Sequence, residues 1–313
     1  MVRSFRDTLA ETLTAEVSQN DKIIVLTPDL ARAVRIHGFA KDHAENFVSC
    51  GISEANLIGV AAGLASVGME PVVVGFSMFV SEKPYEQIRN IIAYPNFNVK
   101  IIATHGGMCV GQDGATHQAV EDLAIMRVLP NMKVLAASDV CQTRKIIHEL
   151  CETEGPGYLR LGRDKAEDIY GEDADFPIGG ACVLREGTDT VIFATGLLLM
   201  NALKAAQELE QEGIHAAVVN TYSIKPLGKD VVETYLRKCG CAVTAEDHQA
   251  AGGLGSSICE LAAQVCPVPV ERVGVKDVFG ESGCQEDLYE KYGLDVPAIK
   301  EAVKKAVARK SYE

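Results

Sequence analysis

Two histidines and a carboxylate stand among glycines in Thr104-His105-Gly106-Gly107 and, a few residues on, Gly111-Gln112-Asp113-Gly114-Ala115-Thr116-His117-Gln118. Imidazole exchanges protons near neutral pH, and glycine lets a backbone approach a ligand closely. The segment follows the apolar run Asn98–Ala103. In an alternating strand–helix protein, ligands bind outside the carboxyl ends of such strands. His117 is expected to open the next helix, Gln118–Val128. Taken alone, the pattern equally fits a helix-opening turn with two incidental histidines.

Three further groups could do chemistry. Glu54 starts a Gly- and Ala-rich helix expected over Glu54–Val67. A first-turn acid suits the helix dipole, but a carboxyl beside an apolar helix is also desolvated, which tends to raise its pKa. A carboxyl so poised is what proton exchange with a heterocyclic nitrogen needs. Phe76 ends the strand Pro71–Phe76 and Phe79 lies three residues on; they serve either as core or as a flat apolar wall for an aromatic ring. Arg160 and Arg163 close the last strand of the first half. One is expected in a surface ion pair and the other at the cleft, where a forked, permanent cation suits phosphate.

These groups need a scaffold, and the chain's rhythm supplies one. Candidate strands Lys22–Leu26, Pro71–Phe76, Val99–Thr104, Met132–Ala136 and Gly157–Leu161 alternate with helices that include Val80–Ile92 and Val140–Glu152. A charged stretch with Gly and Pro follows, and strands at Thr190–Ala194, Ala216–Asn220, Cys241–Ala245 and Val270–Val275 resume the alternation. The predicted fold is α/β, two consecutive domains, each a mostly parallel sheet with helices on both faces. A length of 313 residues fits two cores. The net charge of −13 argues against nucleic acid or an anionic membrane as the main partner, though local arginines can still bind a small anion. Ten scattered cysteines without a CxxC suit reduced thiols rather than zinc or a disulfide framework, and no apolar run is long enough to span a membrane. The expected location is cytoplasmic.

Gly51-Ile52-Ser53-Glu54, Phe76-x-x-Phe79, Tyr85-Glu86-Gln87-Ile88-Arg89, Ala103-Thr104-His105, Gly111-x-Asp113-Gly114-x-Thr116-His117-Gln118 and Leu161-Gly162-Arg163 together resemble transketolase. The likeness is to its carboxyl-terminal half, occurring as a separate polypeptide, and continues through Ala245–Gln249 and Gly252–Gly255. It implies a pyrimidine-binding domain over residues 1–165, a linker over 166–180 and the transketolase carboxyl-terminal domain over 181–313. It also implies that Glu54 protonates the aminopyrimidine ring nitrogen of thiamine diphosphate, with Phe76 and Phe79 as the aromatic wall and Phe79 the better stacking residue. His105 and His117 would face the ketose hydroxyls and shuttle protons, Asp113 would recognise a sugar hydroxyl, and Arg163 would hold the sugar phosphate. Asp29 and Arg3 match weaker cofactor- and substrate-side positions.

The family holds the cofactor's diphosphate and Mg2+ with a Gly-Asp-Gly segment, followed by Asn, on its amino-terminal half. Gly-Asp-Gly occurs nowhere in this chain. The resemblance therefore implies an amino-terminal partner subunit, a heterotetramer with self-association across both domains, and two-carbon ketol transfer between sugar phosphates of the pentose phosphate pathway type. This sequence departs from the family's pattern at Gln112, commonly Glu, and at Lys83-Pro84, where separate-chain relatives often have Arg. Rival readings are a 1-deoxyxylulose-5-phosphate synthase-like protein, a 2-oxo acid dehydrogenase β subunit, and a non-catalytic dimerisation or regulatory module.

Overall fold

The computed structural model describes residues 2–163 and 165–310, leaving the side chains of residues 2 and 3 outside the description. Its strands are β1 (Val2–Ser4), β2 (Ile23–Thr27), β3 (Phe47–Ser49), β4 (Glu70–Phe76), β5 (Lys100–Thr104), β6 (Lys133–Ala136), β7 (Gly157–Arg160), β8 (Lys165–Glu167), β9 (Cys182–Arg185), β10 (Thr190–Ala194), β11 (Ala216–Asn220), β12 (Ser223–Lys225), β13 (Ala242–Gln249) and β14 (Val270–Val275). The first sheet has the order β12-β6-β7-β5-β4-β2-β3 and is parallel except at β12. The second has the order β14-β13-β10-β11-β9 and is parallel except at β9. β1 and β8 form a separate antiparallel ribbon.

Both sheets are covered on both faces, and the alternation of side chains along the strands shows how. Val25, Val72, Val74 and Ile102 pack with Phe5, Leu9 and Leu13 of the helix Phe5–Gln19. Their neighbours Ile24, Leu26, Val73 and Ile101 pack on the opposite face with Leu57 and Ile58 of the helix Glu54–Ser66. Successive strand residues point to opposite faces, so continuous apolar strands fit only a sheet buried on both sides. The second sheet repeats this. Ile192 packs with the helix Leu198–Gln211, and Val191 and Phe193 with Leu236 and Ile258. β12 lies in the second half of the sequence yet completes the edge of the first sheet, beside β6.

Sheet register brings the distant motifs together. Phe76 at the end of β4 pairs with Thr104 at the end of β5, and Ala103 pairs with Arg160 at the end of β7. His105, Ser77–Phe79 and Leu161–Arg163 therefore leave the sheet side by side.

Two helix expectations need correction. His117 does not open a helix: Gly107 N–H bonds to Ala119 O at 2.8 Å, Ala119 bridges Gly106, and the helix is Asp122–Arg127. The expected helix Val80–Ile92 is broken into π turns at Met78–Glu82 and Ile88–Ala93 around the short helix Tyr85–Gln87. Pro84 explains the interruption, since it lacks an N–H and its ring crowds the preceding turn.

Candidate active site

The helix Glu54–Ser66 begins with Glu54 itself, and this carboxylate is buried. Its Oε2 accepts a hydrogen bond from Lys83 Nζ at 2.9 Å. The π turn Met78–Glu82 carries Phe79 into the same corner, where Lys83 Nζ lies 5.4 Å from the Phe79 ring centroid. Such turns widen a helix by one residue and recur at functional sites. Phe79 stacks with Phe76 at a centroid distance of 6.0 Å and meets His117 edge-on at 5.1 Å. Phe76 in turn lies 3.8 Å from the His105 ring. Glu54, Lys83, Phe79, Phe76, His105 and His117 thus form one chain of contacts.

His105 is buried and adopts a left-handed φ of 59°. Burial first, then the Arg6, Arg163 and His117 charges, push its pKa down to about 3. It is a neutral imidazole at physiological pH. Thr104 Oγ1 lies 3.2 Å from Gly75 O and 2.8 Å from His105 Nδ1. With the hydroxyl hydrogen on Gly75 O, Nδ1–H donates to Thr104 and leaves Nε2 as the acceptor. His117 is half-buried, with Nδ1 3.0 Å from Thr116 Oγ1.

On the far side of the loop, Arg163 Nη1 donates to Val110 O and lies 3.5 Å from Asp113 Oδ2. Arg163 also lines a cavity of about 490 Å3, together with Arg6, Arg35, Gln112, Lys165 and Cys284. Arg160, expected as one of two alternatives to form a surface ion pair, is instead buried. Its Nε lies 3.2 Å from Asp122 Oδ2, and Nη2 donates to Ala119 O at 2.9 Å. Arg160 pairs with Ala103 in mid-sheet, so its side chain leaves the strand beneath the loop rather than at the surface.

Asp29 stands apart from the main cluster. It is exposed on a turn at φ 60°, flanked by Pro28 and Leu30, which lie against Gly75. The Arg3 side chain lies outside the described residues. Among the described residues, no three His, Cys, Asp or Glu side chains gather as a metal site, and no helix is long and apolar enough to cross a membrane.

Sequence reasoning singled out Lys83 only as a departure and missed its pairing with Glu54. It also missed Asp122, Tyr158 and Asp247. The legible signal for Asp247 was Glu246-Asp247-His248, three ionisable residues closing an apolar strand.

Residues 2–167 match the transketolase pyrimidine binding domain, and residues 179–299 match the transketolase C-terminal domain. Over 95% of its length the chain is 41% identical to a transketolase C-terminal section of Methanocaldococcus jannaschii, covering 94% of that protein. It is 38% identical to a 6-deoxy-6-sulfo-D-fructose transketolase subunit of Clostridium sp., covering 98% of this chain and 95% of that one. A split gene transketolase solved as an inactive beta4 tetramer superimposes with a TM-score of 0.89 at 43% identity, over 98% of this chain and 99% of that one. Two domain matches that together span most of the sequence, and relatives matched almost end to end, place this chain in the transketolase family.

Proposed function

We propose that this chain is the carboxyl-terminal subunit of a two-chain transketolase, supplying the aminopyrimidine- and substrate-facing half of a thiamine diphosphate site. The observation that carries the reading is the contact chain from buried Glu54 through Lys83, Phe79 and Phe76 to His105 and His117. A buried carboxylate beside a flat aromatic wall fits an aminopyrimidine, which needs a partner for its ring nitrogen and a surface for its face. When bound, the cofactor supplies the carbon nucleophile for ketose cleavage.

Glu54 holds the proton at the pyrimidine ring nitrogen, and Phe79, with Phe76 behind it, fixes the ring plane. His105, neutral and with Nε2 as acceptor, accepts a hydrogen bond from a ketose hydroxyl and orients it. His117 serves the same end of the substrate. Asp113 receives a sugar hydroxyl and Arg163 the distal anion. Asp29 and Arg3 take lesser cofactor- and substrate-side places. The diphosphate and Mg2+ belong to the Gly-Asp-Gly segment of the amino-terminal partner.

The substrate class is sugar phosphates and their close analogues. One relative is named for 6-deoxy-6-sulfo-D-fructose and another, from Phocaeicola vulgatus at 35% identity, for apulose-4-phosphate. Both names describe a sugar with an anionic group, which suits Arg163. Xylulose 5-phosphate as donor and ribose 5-phosphate as acceptor, the pentose phosphate pair, are the first substrates to try. The proposed assembly is a cytoplasmic heterotetramer, and the beta4 tetramer of the split-gene relative supports self-association. A 1-deoxy-D-xylulose-5-phosphate synthase of Geobacter sulfurreducens is 34% identical over 98% of this chain, but the match covers only 48% of that protein. The relatives matched along nearly their whole length favour the transketolase reading.

The test is to mix the purified chain with a transketolase amino-terminal section that contains Gly-Asp-Gly and to assay two-carbon transfer. Turnover by the mixture, with neither chain active alone, is expected. Turnover by this chain alone, or formation of 1-deoxyxylulose 5-phosphate in place of ketol transfer, would contradict the reading.

A further inference from the structure

A buried polar seam joins the two domains beneath the His105–His117 loop. Asp247, near the end of β13, reaches across it: Oδ1 accepts Met108 N–H at 2.8 Å, while Oδ2 accepts Cys109 N–H at 3.1 Å and Tyr289 O–H at 2.8 Å. Gly107 makes this approach possible. A Cβ there would lie 2.4 Å from Asp247 Cγ, and φ is +87°. Burial pushes the Asp247 carboxyl up in pKa, opposed by Arg160 and by the three donors. Three donors on two oxygens suit a carboxylate, which only accepts.

The turn that Asp247 holds, Met108–Asp113, presents two groups that meet Arg163, the Val110 carbonyl and the Asp113 carboxylate. On the first-domain side, Arg160 ties Ala119 O to Asp122, whose Oδ2 also accepts Tyr158 O–H at 2.6 Å and Ser77 O–H at 3.4 Å. Ser77 directly follows Phe76. The seam therefore runs from the aromatic wall to the substrate loop, and its second-domain end is Asp247.

We propose that Asp247, backed by Tyr289, is a positioning residue. It fixes the Met108–Asp113 turn, and through it Asp113 and Arg163, so the C-terminal domain sets affinity for the anionic end of the substrate without touching it. This rests on the functional reading above, but its structural half can be tested without it. Mere interdomain packing would alter stability and leave donor selectivity alone.

The experiment compares Asp247→Asn and Tyr289→Phe with the wild-type chain. Asn keeps one acceptor oxygen but turns an amide N–H2 toward a backbone N–H. In the two-chain complex, KM for xylulose 5-phosphate should rise about tenfold, kcat should change less than about threefold, and KM for hydroxypyruvate should hold within about twofold. Tyr289→Phe should shift the same constants in the same direction by less. In the isolated chain, hydrogen exchange at the Met108 and Cys109 amides should quicken at least about tenfold in Asp247→Asn, while Ile101–Ala103 stay protected. Unchanged exchange at those two amides, or equal KM changes for both donors, would overturn the proposal. If Asp247→Asn does not fold, Tyr289→Phe decides by the same criteria. A wild-type complex without ketol transfer would defeat the functional reading, and the exchange measurement would still decide the role of Asp247.

Discussion

Lys83 Nζ lies 2.9 Å from Glu54 Oε2, joining a half-exposed ammonium to a buried carboxylate. The two residues sit on separate elements, the π turn region and the helix Glu54–Ser66, so the pair fixes how the aromatic wall stands relative to the acid. The same ammonium lies over Phe79. Lys83→Met should lower kcat of the complex by about tenfold, because Glu54 loses its tether and a small misplacement is costly. Lys83→Arg should restore most of it. Steady-state kinetics on both variants checks this, and equal losses in Met and Arg would point to simple packing.

Neutral His105 makes stability depend on pH. In the unfolded chain a histidine takes up its proton near pH 6.5, but native His105 does so only near pH 3. The unfolded state therefore binds more protons as pH falls through this window, and stability present above about pH 6.5 is lost on acidification. Between pH 7 and pH 5 this residue should account for a loss of about 2 kcal/mol. His105→Asn, which suits the left-handed backbone, removes the titration. Urea unfolding at both pH values should show the wild-type chain losing about that much more than the variant.

Arg163 and His117 should separate by donor. A charge-assisted hydrogen bond contributes about 1.5–3 kcal/mol, equivalent to about 10–150-fold in affinity. Arg163→Ala should raise KM for xylulose 5-phosphate by about that factor and leave hydroxypyruvate nearly unchanged. His117→Ala should impair turnover with both. An equal effect of Arg163→Ala on the two donors would make Arg163 structural.

The isolated chain should bind thiamine diphosphate weakly, since the ligands for its charged end are assigned to the partner. Calorimetric titration should show tight, Mg2+-dependent binding only for the two-chain mixture. Tight binding by this chain alone would remove the need for a partner.

Local periodicity made much of this protein legible. β2, β4, β5, β7 and the helix at Glu54 lie within a residue or two of their sequence positions, because each is a strongly apolar run ended by turn residues. Glu54 stood out because it opens an apolar helix, and Phe76, Phe79, His105 and His117 because they lie at or just beyond strand ends; the sheet register and the π turn bring them together. The breaks came where contacts distant in sequence decide local structure. Ala119 is held by Gly107 and Arg160, which delays the helix to Asp122. Asp247 meets Met108 across 139 positions, and no spacing rule connects them. Arg160 and Arg163 looked alike in sequence, and only the sheet register buries the first while the second lines the cavity.

Proton exchange at the reactive thiazolium carbon of bound thiamine diphosphate, followed by NMR in the two-chain complex, tests the central claim most directly. Glu54→Gln keeps a hydrogen-bonding group of the same shape but cannot give up a carboxyl proton. General acid–base catalysis is worth about 10²–10⁴-fold, so exchange in Glu54→Gln should slow by a factor in that range. Exchange at the wild-type rate would show that Glu54 only caps its helix and that this chain does not supply the activating half of the site.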